Sequence, residues 1–246
     1  MTANPSSGSY EHDERWCGDW IETWLSRPRF EVYLRAANQD RALAVRLYEW
    51  NTAVSAAFHH DLSHLEVALR NTYDRALGHA VEAGRPHWVF QATVIFPTRW
   101  QKAANGTRYD VNETSRRLLA EAIKNATPKV KHPCGSEKRP SPGKVIAELS
   151  FGFWRYLSAR RHHDPLWIPY LHLAFRAGTD RRDVDRHVER LHRLRNRVAH
   201  HEPLLAVDLR GHWEDVRSLA LLISPQVAAY ITANSSCSRL LATRPC

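Results

Sequence analysis

Cysteine is scarce in this sequence, and the residues present form no pattern. Cys17, Cys134, Cys237 and Cys246 stand apart from one another, and no two of them make a CxxC pair. Cysteine-based zinc sites need closely spaced thiolates, and disulfide scaffolds need many cysteines for their length. The sequence therefore predicts neither a cysteine-based zinc site nor a disulfide framework.

Long hydrophobic runs are missing as well. No apolar stretch approaches the roughly 20 residues that cross a bilayer, and residues 1–15 are polar and acidic, without the apolar core of a signal peptide. We therefore expect a cytoplasmic protein with no membrane partner and a loose polar tail over residues 1–15. Internal repeats and glycine-rich phosphate loops are not visible either.

Basic and aromatic residues, by contrast, are plentiful. The formal net charge is +9, and nine Trp and eight Tyr accompany it. Hydrophobic residues make up 43% of the 246 residues, enough to bury a sizeable core. The positive charge suits a polyanionic partner such as nucleic acid, because Lys and Arg neutralise phosphates. A soluble protein that is merely basic would have the same composition.

Apolar residues recur at three- and four-residue spacing along most of residues 16–246, which predicts an all-α domain. The predicted helices and apolar stretches run over Trp16–Trp24, Phe30–Asn38, Asp40–His60 with a continuation or a new helix to Leu77, Thr114–Asn125, Lys144–Ala159, Pro165–Phe175, Asp180 or Asp183 to His201, Leu209–Ile223 and Pro225–Thr232. Ser26 to Pro28 and Pro203 should end helices.

The middle of the chain carries most of the excess charge. Between Arg99 and Lys144 eleven Lys or Arg stand against four Asp or Glu, a net charge of +7. We interpret 99–144 as a basic, partly loop-like insertion, either a solvated face or a surface that steers RNA. The preceding segment, Trp88 to Pro97, is short, apolar and partly β-branched, so it reads as a brief strand or an extended loop.

The segment from Arg193 to Pro203 carries the residues best suited to chemistry. It places three arginines, one asparagine and two histidines near the end of an amphipathic helix. Arginine binds phosphate through a planar fork, and histidine exchanges protons near neutral pH. RNA transesterification needs a base for the 2′-OH, an acid for the 5′-oxygen and a cation for the phosphorane. The nucleophile is part of the RNA, so no metal or cofactor is expected.

The spacing of the two key residues poses a geometric problem. Arg195 and His200 are about 140° apart around an ideal helix and do not share a face. Either the helix break before Pro203 brings them closer, or a second subunit completes the site.

The pattern Arg195-Asn196-Arg-Val-Ala-His200 resembles the Arg-polar-x-x-x-His motif of the HEPN superfamily, and the surrounding residues resemble its Abi-like (abortive infection) branch. The blocks that carry the resemblance occur in order from about Trp24 to Pro245, nearly the whole chain: RLYEWNTAVSAAF, LSHLEVALRN, VIAELSFGFWRYL, LRNRVAHHEPL and LLISPQVAAYI.

The resemblance implies a HEPN-type helical bundle that forms a homodimer and cleaves RNA as a phage-defence effector or toxin, with any antitoxin partner unknown. Arg195 would bind the phosphate, His200 would act as acid and base, and Asn196 would be the polar residue of the motif. His201, Glu66, Arg70 and Asn71 are candidates for support of this site. Some relatives are catalytically silent RNA- or protein-binding modules, which is the alternative function.

Structural explanations exist for the same residues. Arg195 and His200 could stabilise the carbonyls and dipole of a helix C-terminus. Glu66 and Arg70 could form an ordinary surface ion pair. The runs around His60 and His163 could bind a metal, although exposed turn and cap residues are the simpler interpretation. The aromatic residues of 151–154 should be core.

Overall fold

Helices form nearly all of the regular structure in residues 18–128 and 139–246, the ranges that the computed structural model describes. The all-α prediction is therefore confirmed for these residues. The tail predicted for residues 1–15 lies outside the described residues. Within the described ranges, no helix combines the length and apolar character needed to cross a membrane.

The elements follow one another with short connections. The helices are α1 (Trp20–Leu25), α2 (Arg27–Ala36), α3 (Arg41–Gly78), α4 (Ala92–Ile95), α5 (Glu113–Ala126), α6 (Pro142–Glu148), α7 (Phe151–Leu157), α8 (Arg181–Ala199), α9 (Leu209–Ile223), α10 (Pro225–Asn234) and α11 (Cys237–Ala242). Shorter helical turns occupy Trp88–Phe90, Arg160–His162, His163–Trp167 and Leu171–Ala174. The strands β1 (Trp100–Lys102) and β2 (Arg108–Asp110) pair as an antiparallel hairpin.

Helix α3 is the longest element and lies at the centre of the fold, in contact with α2, α8, α9 and α11. The carboxylate of Asp40 caps its N-terminus by accepting a hydrogen bond from the backbone N–H of Leu43 at 3.0 Å. The predicted apolar stripe is confirmed as core, because every member is buried: Leu62, Leu65, Leu69, Tyr73 and Leu77. The helix runs on without a break where the sequence left a new start open.

Helix α8 packs against α3, α7 and α9. Asp180 accepts a hydrogen bond from the backbone N–H of Arg182 at 2.8 Å and starts the helix, as predicted. The apolar residues of its buried face are Val184, Val188, Leu191, Leu194 and Val198. The opposite side of α8 is therefore left for its many charged residues.

The interpretation of Trp88 to Pro97 as a strand or extended loop is wrong. This segment forms a 3-10 turn over Trp88–Phe90 and then α4. The indole N–H of Trp88 donates to the Asp74 carboxylate at 2.6 Å, and the ring is fully buried. Burial of this large side chain decides the backbone conformation, and the weak β-propensity of Val89 and Val94 does not.

The basic insertion is more ordered than the sequence suggested. The predicted basic helix is confirmed as α5, but the hairpin β1–β2 before it was not predicted. Asp110 holds this hairpin, because its carboxylate pairs with Arg116 and accepts from the backbone N–H of Arg99 at 2.9 Å. Residues 129–138, within the predicted proline-rich loop, lie outside the described residues.

The aromatic stretch after this insertion forms two helices, not one. Helices α6 and α7 are separated at Leu149 and Ser150, and Phe151, Phe153 and Trp154 are buried as the sequence predicted. The short helix expected over Pro165–Phe175 is replaced by irregular helical turns, one of which is a π-turn closed by the N–H of Ile168 on the carbonyl of His163.

Candidate active site at the end of α8

The C-terminus of α8 is closed by a Schellman-type cap that sets the positions of both histidines. The N–H of His201 donates to the carbonyl of Val198 at 3.1 Å, and the N–H of Glu202 donates to the carbonyl of Arg197 at 2.9 Å. His201 takes a left-handed conformation with φ of 53°, which most caps of this kind assign to glycine. His200 is consequently the last residue of the helical turn, and its side chain is exposed to solvent.

Two hydrogen bonds between side chains and the backbone connect the cap to the rest of the bundle. The guanidinium of Arg29 donates to the carbonyl of His201, and the N–H of Leu204 donates to the side-chain oxygen of Asn51 at 2.7 Å. Asn51 and Leu204 are both buried. Because α2 and α3 hold the segment after α8 from two sides, the histidines are placed by the fold of the whole bundle.

The arginines of α8 differ in whether a carboxylate neutralises them. Helix α8 contains seven arginines. Six have an Asp or Glu at ion-pair distance: Arg181, Arg182, Arg186, Arg190, Arg193 and Arg197. Within residues 18–128 and 139–246, Arg195 makes no ion pair and no side-chain hydrogen bond, although it is half-buried. Its guanidinium is therefore available to an anion.

Glu66 and Arg70 of α3 lie near Arg195. Burial raises the pKa of the Glu66 carboxyl, and the charges of Arg195, Arg70 and His59 oppose this rise. The Nε of Arg70 is buried and has no hydrogen-bond partner among the described residues. Two arginines thus flank one desolvated carboxyl without pairing with it at close range, and the predicted surface ion pair of Glu66 with Arg70 is not formed. Asn71 is exposed.

Asn196 points toward a residue that the sequence analysis did not single out. Its side-chain nitrogen lies 3.5 Å from Nε2 of His192, one helical turn earlier. The His192 ring stacks on Phe151 with centroids 5.9 Å apart, and a Cβ added to Gly152 would lie 3.4 Å from Nε2. The backbone of α7 at Gly152 therefore closely approaches the side chain of His192 on α8.

The environment of His192 keeps its imidazole neutral. Burial is the main cause that lowers its pKa, and the charges of Arg155 and Arg195 lower it further. Helical spacing could have found this residue, because His192 and Asn196 are four residues apart and share a face.

The two histidines of the motif face different surroundings. His201 lines a groove of about 810 Å³ between α1, α2, α3 and the end of α8. Its polar lining includes Arg29, Tyr33, Ser55 and His59. His200 is not part of this lining, and no hydrogen bond joins the side chains of Arg195 and His200 within the described ranges. The helix break therefore does not join the two predicted catalytic side chains by a hydrogen bond within one subunit.

The other histidine-rich runs do not match a metal site. In the described part of the chain, no group of three or more His, Cys, Asp or Glu side chains could hold a metal ion. The expectation of turn and cap residues is wrong for the first run, which lies inside α3: Nδ1 of His60 is 3.0 Å from the buried Asp61 carboxylate, and its Nε2 is 3.3 Å from Nε2 of His64.

The arrangement at the end of α8 combines an unneutralised arginine with a solvent-accessible imidazole. Arg195 can bind an oxyanion from its half-buried position, where its charge is less screened than at an open surface. His200 can exchange a proton with a ligand in the adjoining solvent. Comparison with known proteins adds no assignment, since no protein-family model, no curated protein and no solved structure matches this chain.

Proposed function

We propose that this protein is a metal-independent endoribonuclease of the HEPN/Abi-like type, in which Arg195 and His200 act on the scissile phosphate of an RNA. The ordered sequence blocks around the Arg-Asn-x-x-x-His motif support the family. The helical structure is compatible with that family without being specific to it.

One observation carries the proposal. Arg195 is the arginine of α8 that has no carboxylate at ion-pair distance among the described residues, and it lies five residues before the exposed His200. If α8 served only as a structural element, close pairing of Arg195 would stabilise it like its neighbours. Arg195 lies near the half-buried Glu66 without a close ion pair, and the Nε of Arg70 is buried without a hydrogen-bond partner, which is better explained by an anionic ligand.

The residues of the site can supply every group that the reaction needs. One imidazole takes the proton from the 2′-OH, the 2′-oxygen forms a bond to phosphorus, and the bond from phosphorus to the 5′-oxygen breaks. An imidazolium protonates the departing 5′-oxygen, which leaves a 2′,3′-cyclic phosphate and a free 5′-OH. Arg195 stabilises the additional negative charge of the phosphorane, an effect that typically contributes about 100-fold or more to the rate.

A homodimer solves the geometric problem of this site. A single His200 would have to serve as base and acid in the same step, and its side chain forms no hydrogen bond with Arg195 within one subunit. A two-fold interface places each motif opposite its copy. We therefore place two Arg195 and two His200 side chains in one cleft, with the RNA phosphate between the arginines.

The biological role follows from the resemblance alone. An RNase of this type would act as a phage-defence effector or toxin, and an antitoxin partner would restrain it. The histidine, arginine and asparagine residues of the site are the same in either role.

Cleavage in the absence of divalent ions tests the proposed chemistry. Purified protein should cleave single-stranded RNA in excess EDTA and leave a 2′,3′-cyclic phosphate on the 5′ fragment. His200→Ala should lower the rate by about 100-fold or more, since proton transfer typically contributes that much. Loss of activity on chelation that Mg²⁺ or Mn²⁺ restores would overturn the mechanism. Wild-type activity of a folded His200→Ala protein would instead point to His201, which lines the groove.

A catalytically silent RNA- or protein-binding module is the second candidate. The observation in its favour is that the His200 side chain forms no hydrogen bond to any described residue, whereas a general base is usually oriented by a third group. RNA binding without any cleavage in the same assay would support this alternative.

A further inference from the structure

A cluster of cations without carboxylate partners lies where the hairpin β1–β2 meets the turn after α7. The guanidinium of Arg99 donates to the carbonyl of Arg161 at 3.0 Å, which joins the two segments. Within residues 18–128 and 139–246, neither arginine has an Asp or Glu at ion-pair distance. The same holds for three cations of these two segments: Lys102, Arg108 and Arg160.

The guanidinium of Arg161 is held in place by its neighbours. Its Nε donates to Nε2 of His162 at 3.2 Å, and its Cζ lies 5.0 Å from the ring centroid of Tyr156. Arg155 approaches the same ring, also at 5.0 Å. Burial lowers the pKa of Arg161, and the charge of Arg155 lowers it further. An anion would therefore stabilise the charged form of Arg161, which has no carboxylate of its own among the described residues.

The pKa of His162 is also lowered by the positive charge of this cluster. Its side chain is buried, and burial together with the charges of Arg161 and Arg99 lowers its pKa to about 3. The imidazole is neutral at physiological pH and can accept the hydrogen bond from Arg161. Two arginines from separate segments consequently converge around one uncharged, buried acceptor.

Exposed aromatic rings adjoin these arginines. Tyr109 of β2 is 43% exposed and Tyr156 of α7 is 39% exposed. Tyr109 pairs with Gln101 across the hairpin and donates its hydroxyl proton to the Gln101 side chain at 3.1 Å. It lies near enough to Arg161 to interact electrostatically. We name the four residues Arg99, Tyr109, Tyr156 and Arg161 the hairpin patch.

The hairpin patch is connected to the candidate active site through α7. Arg155, next to Tyr156 in sequence, forms an ion pair with Glu189 of α8 at 3.3 Å. The charges of Arg155 and Arg195 both lower the pKa of His192, so both arginines lie near this residue. From Glu189 to Arg195 the rise along the helix is about 9 Å, and the two positions are about 120° apart around its axis. A strand bound at Arg195 would therefore reach the patch by passing partly around α8.

We propose that the hairpin patch binds a single-stranded segment of RNA, with phosphates on Arg99 and Arg161 and an unpaired base stacked on Tyr109. Planar guanidiniums and exposed rings are the groups that recognise unpaired nucleotides, since every base offers a face for stacking. A single strand of RNA would use both kinds of group at once, the guanidiniums through its phosphates and the ring through a base. The inference rests on the proposed function, because it assumes that RNA is the ligand of the neighbouring site.

Binding of an uncleavable RNA tests the patch separately from catalysis. The probe is a fluorescently labelled 2′-O-methyl oligoribonucleotide, which lacks the attacking 2′-OH, and the readout is anisotropy across a salt series. Arg99→Gln/Arg161→Gln should weaken binding at least tenfold and reduce the slope of log K against log salt by about 1.4, because each lost phosphate contact contributes about 0.7. Tyr109→Ala should weaken binding fivefold or more.

Matched variants control for total charge and for loss of an exposed tyrosine. Arg117→Gln/Arg217→Gln removes two cations that are paired with Glu121 and Glu214, and Tyr230→Ala removes a ring that is 56% exposed on α10. Both should bind the probe as the wild type does. Circular dichroism and melting temperature confirm that each variant is folded.

The possible outcomes separate this inference from the proposed function. Equal affinity of the patch variants and their controls for the probe would overturn the inference. So would a wild-type protein that does not bind the probe, or one from which polyglutamate displaces the probe as effectively as unlabelled RNA does. Weaker binding by the patch variants in a protein that never cleaves RNA would uphold the patch and refute the catalytic proposal. Unchanged binding by the patch variants in a protein that does cleave RNA would refute the patch and uphold the catalytic proposal.

Discussion

At the scale of single residues, Arg195 combines two properties that matter for binding a phosphate. It is half-buried, and no carboxylate of the described residues lies at ion-pair distance from it. Arg193, two residues earlier, is exposed and pairs with Glu189 at 2.7 Å. An anion at Arg195 would replace no existing ion pair and would interact with a charge that water screens incompletely.

His162 makes a testable contribution to stability. Its folded pKa of about 3 lies below the ordinary value of 6.5, because burial and the charges of Arg161 and Arg99 disfavour the imidazolium. Between these two values the unfolded state binds the proton and the folded state does not. Stability contributed by the neutral imidazole is therefore complete above pH 6.5 and is lost as the pH falls toward 3.

Replacement by a side chain that does not titrate should remove this dependence. From pH 7 to pH 5, His162→Gln should lose about 2 kcal/mol less free energy of unfolding than the wild type, at about 1.36 kcal/mol for each unit of pH. Glutamine retains an acceptor for Arg161. Urea denaturation at the two pH values measures the difference, and His163→Gln, which removes an exposed neighbour, should behave as the wild type. Equal pH dependence of the two variants would show that folding does not lower the pKa of His162.

At the scale of elements, the cap of α8 retains a conformational strain. His201 has a φ of 53°, where a residue with a Cβ is less stable than glycine by about 1–2 kcal/mol. Its carbonyl accepts from Arg29, and its N–H donates to Val198. Neither bond needs the imidazole, so the strain is explained if the side chain has a separate role in the groove that it lines.

His201→Gly should therefore stabilise the protein. We expect the free energy of unfolding to rise by about 0.5–1 kcal/mol, because the relief of strain exceeds the entropy that glycine adds to the unfolded chain. His200→Gly is the control, since His200 has a φ of −93° and gains nothing from glycine. Urea titration compares the two variants. A lower stability of His201→Gly would show that the imidazole itself holds the cap.

The elements that the sequence predicted best are those with long apolar stripes. The bounds of α9 were predicted to the residue, and α3 and α8 within one or two residues. The hairpin β1–β2 was missed because its strands are only three residues long and show no clear alternation, although Asn105-Gly106 between them is a turn signal. The turns between α7 and α8 are irregular because buried rings of 166–175 determine their path.

The candidate site was predictable in part. Motif spacing identified Arg195, Asn196 and His200 as a group near the end of α8, and the structure places them there. Whether an arginine is paired depends on partners from other elements, so the isolation of Arg195 and of the Arg70 Nε could only come from tertiary structure. Asn71 was suggested to support the site, but its exposed side chain forms no hydrogen bond with any described residue.

At the scale of the whole molecule, the distribution of charge fits the proposed path of RNA. The chain has a formal charge of +9, and both Arg195 and the arginines of the hairpin patch have no carboxylate at ion-pair distance among the described residues. This excess of positive charge would attract a polyanion and speed its association at low salt.

Assembly can be tested by mixing two inactive subunits. Neither Arg195→Ala nor His200→Ala homodimers should cleave RNA, whereas a heterodimer of the two retains one Arg195 and one His200 in the shared cleft and should recover part of the activity. The reason is that a two-fold interface unites the motifs of both chains. Light scattering at the assay concentration accompanies the experiment, and a fully active monomer would contradict the shared cleft.

The proposed function requires that Arg195, which has no carboxylate at ion-pair distance among the described residues, binds the scissile phosphate. The most direct measurement is the single-turnover rate of RNA cleavage in EDTA by Arg195→Ala and by Arg193→Ala, which removes the same charge two residues away on the same helix. The account predicts a loss of about 100-fold or more for Arg195→Ala and a change within about twofold for Arg193→Ala. Equal rates for the two folded variants would contradict it.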